Sequence, residues 1–186
     1  MAYPTDLASQ QLVTLPRASI TALRAALVRD AGPGYASYLQ EAGYAGGETI
    51  FAAFRDWLAG RGADDPESLP IDAFALQATA FFAESGWGRI EVTPNDDVAA
   101  TIQSSDWAEA DPQAHLDHPG CHYTTGLFAD FFGRVASVPL AVLEVECRSC
   151  GAPQCRFIAG SADVMHHVYE RMAAGKDYAT ALSELA

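Results

Sequence analysis

The chain has 186 residues, 49% of them apolar and 10% aromatic, and carries a formal net charge of −13. That length and apolar content fit one domain with its own buried core and exclude a disordered chain. The negative charge repels DNA, RNA and anionic lipid, so no nucleic-acid or membrane partner is expected, although acidity by itself also keeps ordinary proteins soluble.

Met1 to Leu15 has no basic stretch leading into an apolar run, and Pro4 and Asp6 stand where a signal peptide would be apolar. No secretory signal is predicted, and no window approaches the roughly 20 apolar residues of a spanning helix. A cytoplasmic location follows as an expectation, with thiols reduced or metal-bound.

Pro16 is suited to opening a first helix, on which Ile20, Leu23, Leu27 and Val28 make an apolar stripe. Asp30 to Gly34 ends it. A second helix is predicted from Tyr35 to about Gly60, with Leu39, Ile50, Phe54, Trp57 and Leu58 on its apolar faces. Glycine inside a helix costs about 1 kcal/mol relative to alanine. Gly43, Gly46 and Gly47 therefore predict close packing against another backbone, or a kink. Ser68 is read as the cap of a third helix, with Pro70 in its first turn and Phe74, Ala78, Phe81 and Phe82 on one face. Gly86 and Gly88 end it.

Ile90 to Val92 alternates like a strand, and Val98 to Ser104 reads as its hairpin partner across Pro94 to Asp97. Asp106 to His118 is acidic and irregular. A fourth helix is predicted from near Gly120 to about Val135, bearing Leu127, Phe128, Phe131 and Phe132. Leu140 to Glu146 and Cys155 to Ala159 read as a second hairpin around a turn with Gly151 and Pro153. Asp163 is read as the cap of a helix carrying Val164, Val168 and Met172, and Lys176 to Ala186 as a short terminal helix. Helices, hairpin, helix, hairpin, helix is the order of an α+β domain: an antiparallel sheet with helices packed against it. The whole chain, 1–186, is read as one domain, with a helical part at about 16–86 and a cysteine-bearing core at about 87–175.

All four cysteines, Cys121, Cys147, Cys150 and Cys155, fall in that core. Without a secretory signal, thiols gathered this way point to a metal rather than to disulfides. Cys147 and Cys155 flank one turn. Cys121 stands at the start of the fourth helix, where the helix dipole is expected to lower its thiol pKa. The fourth ligand is Glu144 or Cys150. Spacing prefers Cys150, since Cys147 and Cys150 form a C-x-x-C. The competing reading is that these are ordinary buried thiols. Four protein ligands would make a zinc site structural, because no position stays open for water.

The run Cys121-His-Tyr-Thr-Thr-Gly126, then Glu144-Val-Glu-Cys147, then Gly151-Ala-Pro-Gln-Cys155-Arg-Phe157, resembles the 4-vinyl reductase domain family. That family is also described as hydrocarbon-binding proteins and includes the sensory domains of phenol- and xylene-responsive activators. The resemblance implies a ligand-binding fold related to a subunit of the vesicle-tethering TRAPP complex. It also implies a structural zinc held by Cys121, Glu144, Cys147 and Cys155, with Cys150 the alternative fourth ligand, so that 87–175 becomes a zinc-pinned core.

A buried pocket for a small apolar or aromatic ligand is implied too. Trp107, Tyr123, Phe128, Phe132, Phe81, Phe82 and Phe74 are the candidate lining residues, and the Trp107 indole N–H is the candidate donor to a ligand oxygen. Aromatic residues at helical spacing otherwise simply fill cores. The phenol sensors place a histidine on an earlier helix, whereas here no histidine precedes His115, which points away from phenol. His115, His118 and His122 flank Cys121 as substitute contacts or as solvated loop residues.

No G-x-G-x-x-G, G-x-S-x-G or Cys/His nucleophile arrangement is present, and Glu109, Asp111 and Asp117 read as loop acids without partners. The expectation leans away from an enzyme. A small-molecule-binding module, for sensing or carrying its ligand, is the main reading. The alternatives are an accessory or reductase-type protein of (bacterio)chlorophyll or tetrapyrrole synthesis, and a dimeric interaction subunit. A homodimer is expected, with Leu23, Leu27 and Val28 contributing to its face.

Overall fold

The computed structural model describes residues 11–96 and 98–185. Residues 1–10, with most of the signal-peptide reading, lie outside them, as do Asp97 of the predicted hairpin turn and Ala186 of the predicted tail helix. Among the described residues the α-helices are α1 (Arg17–Ala31), α2 (Tyr35–Ala59), α3 (Ile71–Glu84), α4 (His122–Ala136), α5 (Ala162–Ala173) and α6 (Tyr178–Ser183). The strands are β1 (Glu91–Asn95), β2 (Ala99–Ser104), β3 (Ala141–Glu146) and β4 (Cys155–Gly160).

The four strands form one sheet in the order β1-β2-β4-β3, and every neighbouring pair is antiparallel. Helices lie on both of its faces. Phe157 and Cys155 of β4 join the main core with α2, α3 and α4, whereas Ile158 joins a smaller core with Met165, Val168 and Ala181 of α5 and α6. That division follows from the period of two along a strand. The expected α+β architecture is therefore present. Pro94 lies within β1, at the edge of the sheet, where a missing N–H costs no ladder bond.

The glycines of α2 are explained by α4, with which α2 makes the most extensive contact in the fold. A methyl group on Gly43 would lie 1.9 Å from the Tyr123 carbonyl oxygen, and one on Gly126 would lie 2.0 Å from that of Gln40. Only glycine lets these two backbones touch. Of the two options open in the sequence, close packing is the one realised.

Three local expectations are corrected. Ser68 does not cap α3: it closes a 3-10 turn, its hydroxyl donating to the Asp65 carbonyl, and Pro70 occupies the cap position. Asp163 lies inside the first turn of α5, and Ser161 is its cap, accepting from the Val164 N–H. On α1 the apolar stripe is not the buried face. Leu23 and Val28 are 55% and 43% exposed, while Arg24 is the buried residue. Arg24 turns inward because its guanidinium donates to the Glu109 carbonyl at 3.1 Å, a strong bond where water is excluded.

Candidate metal centre and its aromatic neighbours

Cys121, Glu144, Cys147 and Cys155 come together in a buried cluster whose ligand atoms all lie within 4.8 Å of one another. Cys121 is the N-cap of α4, Glu144 is on β3, Cys147 follows that strand, and Cys155 opens β4. A plain strand alternates its side chains, so residues 144 and 147 would face opposite sides. A β-bulge between Glu144 and Glu146 inserts one residue and shifts the phase. Val145 turns toward the α5–α6 side, and Glu144 and Cys147 then share the inner face. The sequence carries no clear sign of that bulge.

The donor set fits a tetrahedral cation. The Cys121 sulfur lies 3.9 Å from the sulfurs of both Cys147 and Cys155. A tetrahedral ion with metal–sulfur bonds of about 2.3 Å sets its sulfurs roughly 3.8 Å apart. One Glu144 oxygen accepts the Cys121 backbone N–H at 2.8 Å. Its other oxygen is buried without a hydrogen-bond partner. An orphaned carboxylate oxygen costs free energy unless something positive meets it. Cys150 is outside the cluster and exposed.

The electrostatics of the four groups are mutual. Hydrogen bonds from Cys121 and then Cys155 hold the Cys147 thiol far below its usual range. Hydrogen bonding to Cys147 and Cys155, then burial, push Cys121 well above it. Burial, then the Cys147 charge, push Glu144 up as well. In the metal-free cluster the hydrogen bonds to Cys147 and Cys155 and burial act on Cys121 against the lowering expected from the helix dipole. A cation at the centre would reverse this balance and release the held protons.

Glu109 is a buried carboxyl whose place sequence reasoning missed, for it is neither solvated nor alone. It is 3% exposed. Its carboxylate accepts the backbone N–H groups of Tyr123 and Thr124 at 3.0 and 2.8 Å and the Thr124 hydroxyl at 2.5 Å. These are first-turn donors of α4, which a helix cannot satisfy internally. The signal was an acid in an irregular segment shortly before a helix, but nothing fixes its reach across 12 intervening residues to α4. Asp111 also has partners: its N–H donates to Ser149 and its carboxylate accepts the Gln113 N–H.

Burial pushes the Glu109 carboxyl up to about 7 against those hydrogen bonds. A raised carboxyl favours the folded state while it is protonated. Its contribution is complete below the ordinary value of 4.5 and is lost as pH rises through about 7. At 1.36 kcal/mol per pH unit the loss is about 3 kcal/mol. Glu109→Gln is expected to remove that slope. The check is the melting temperature of both proteins across this pH range, and parallel curves would rule out a titrating Glu109.

The predicted pocket residues Phe74, Phe81, Phe82, Trp107, Phe128 and Phe132 are buried together, with Tyr123 half-buried beside them. They rest in ring-to-ring contact. Trp107 lies 5.7 Å from Phe82 and 5.1 Å from Phe128, and Phe132 lies 5.3 Å from Phe128. Trp87 is stacked between Trp107 and Tyr123, at 5.5 and 5.7 Å. The Trp107 N–H already has an acceptor, the Thr124 hydroxyl at 2.6 Å, which itself donates to Glu109. His115 and His118 are exposed, and His122 meets the Tyr35 hydroxyl at 3.1 Å.

Residues 106–161 match the model of the 4-vinyl reductase domain, the family that the cysteine pattern resembles. Three solved structures are similar in fold. The phenol-responsive sensory domain of the transcription activator PoxR, determined with phenol, gives a TM-score of 0.63 at 17% identity, covering 81% of this chain and 76% of that one. A vinyl-4-reductase family protein from Methanocaldococcus jannaschii gives 0.53 at 17% identity, covering 86% and 97%. Subunit 3 of a trafficking protein particle complex from Naegleria fowleri, covalently bound to palmitic acid, gives 0.55 at 12% identity, covering 77% and 91%. No curated protein matches the chain. At such identities these likenesses establish the shared fold of helices on an antiparallel sheet.

Proposed function

With residues 106–161 matching the 4-vinyl reductase domain, we propose that the chain is a zinc-stabilised module that binds a small apolar or aromatic ligand, to sense it or carry it. The proposed zinc ligands are Cys121, Glu144, Cys147 and Cys155. The single observation that carries the reading is their gathering at the N-terminus of α4, because that helix also supplies Tyr123, Phe128 and Phe132. Zinc held by four protein groups is structural: it pins α4 to the β3–β4 hairpin and leaves no open position. Ligand binding and the clamp would then act on the same helix.

The ligand wall is proposed to be Phe74, Phe81, Phe82, Trp107, Tyr123, Phe128 and Phe132. These rings touch one another, so a ligand enters by parting them and exchanging ring–ring for ring–ligand contacts. The Trp107 N–H is committed to Thr124. A ligand oxygen would have to displace that bond, which favours ligands with little polarity. Residues 1–186 are proposed to form one domain, located in the cytoplasm; among the described residues no helix is long and apolar enough to cross a membrane. A homodimer is proposed too, because Leu23 and Val28 project from α1 into solvent.

Native mass spectrometry of the purified protein tests these points together. The expected species is a dimer with one zinc per chain. Titration with toluene or naphthalene is expected to change tryptophan fluorescence, since Trp107 belongs to the wall and Trp87 stacks on it. Unchanged fluorescence up to the solubility limit of both probes would sink the ligand reading, and a metal-free chain would sink the clamp.

A further inference from the structure

Cys150 is the cysteine that the cluster leaves out, yet it stays next to it. It ends a 3-10 turn, Arg148–Cys150, closed by its backbone N–H donating to the Cys147 carbonyl at 3.0 Å. Such a turn holds the first and fourth Cα atoms within about 7 Å, and a disulfide spans Cα separations of about 4.4–6.8 Å. The two thiols also differ in access: Cys150 is exposed, while Cys147 is 1% exposed. Gly151 follows at φ +88 with open space around it, and the Ala152 N–H returns to the Cys147 carbonyl. Beyond Cys150 the turn therefore has an unobstructed glycine at which to adjust.

We propose that Cys150 is an oxidative modification site: a hypohalous acid converts Cys147 and Cys150 to a disulfide and so removes Cys147 from the metal cluster. The effect on metal rests on the zinc reading above; the bond itself does not. In the first step the Cys150 sulfur takes chlorine from hypochlorous acid, forming a sulfenyl chloride and releasing water. In the second the Cys147 thiolate attacks that sulfur, the S–S bond forms and chloride leaves. Two electrons pass from the two sulfurs to the chlorine. The Cys150 proton leaves as part of the water. The exposed residue meets the oxidant first, and the buried one resolves the product. Left with Cys121, Glu144 and Cys155, the site has lost one of its four ligands, and α4 is no longer fully tied to the hairpin.

The test uses the whole protein, treated with one equivalent of hypochlorous acid and read three ways. Mass spectrometry of the unreduced protein is expected to show the loss of two hydrogens, with fragmentation placing the bond between Cys147 and Cys150. A chromogenic chelator is expected to record loss of the bound zinc, and dithiothreitol to restore zinc binding. Cys150→Ser, at an exposed position outside the cluster, is expected to keep its zinc under the same treatment. Equal zinc loss from Cys150→Ser, or a bond mapped to Cys155 or Cys121, overturns the proposal. A chain that carries no zinc but forms the Cys147–Cys150 bond defeats the zinc reading and leaves the modification site standing.

Discussion

Cys147→Ser is expected to abolish metal binding and to lower the melting temperature by about 10 °C. Structural zinc supplies about 10–16 kcal/mol of apparent binding energy in small peptides that are unfolded without it. Here only part of that can appear as stability, because α4 is also held by its packing against α2. A loss of about 4 kcal/mol corresponds to roughly 8–16 °C for a domain of this size. Serine is close to cysteine in shape, so the packing loss is small and the lost ligand dominates. The check is scanning calorimetry with and without a strong chelator. Chelation should bring the unaltered protein down to nearly the melting point of the variant, and should leave the variant where it is. If the chelator leaves the unaltered protein's melting point in place, the clamp contributes nothing and the cluster is a set of buried thiols.

The reach of the sequence differs from element to element for physical reasons. The bounds of α2, β3 and β4 were readable because their apolar periods are strong and their ends carry glycine, proline or polar turns. Caps were less readable. Ser161 and Asp163 both suit a helix start, and only the backbone path chooses between them. The cysteine pattern foretold the meeting of Cys121, Cys147 and Cys155. Spacing alone favoured Cys150 as the fourth member, and the resemblance favoured Glu144. Glu144 shares the inner face of Val142 by plain alternation, and the bulge before Glu146 brings Cys147 to that same face, a backbone irregularity that hydrophobic alternation does not encode. Arg24 and Glu109 were missed for a related reason. Each is charged and buried, contrary to the usual rule for its type, and each is buried because of a partner far away in sequence.

Gly43→Ala and Gly126→Ala are each expected to cost about 3 kcal/mol, a fall in melting temperature of roughly 6–12 °C. A methyl group at either position would sit 1.9 or 2.0 Å from a carbonyl oxygen of the facing helix. A backbone oxygen cannot rotate out of the way, so α2 and α4 must separate along their contact. Alanine's better helix propensity returns only about 1 kcal/mol. Gly46→Ala is the matched control, on the same helix three residues along. There the methyl meets the Tyr123 hydroxyl at 3.2 Å, the end of a side chain that can swing aside. The control is expected to be neutral or slightly stabilising. Separation of the helices also carries a consequence for the clamp, since Cys121 sits at the end of α4. Gly43→Ala and Gly126→Ala should therefore bind zinc more weakly, while Gly46→Ala should not. Competition with a chelator of known affinity measures this. A Gly43→Ala protein that melts at or above the parent temperature would mean that the helices have room to spare, and that α4 is positioned by the metal site rather than by the glycine contact.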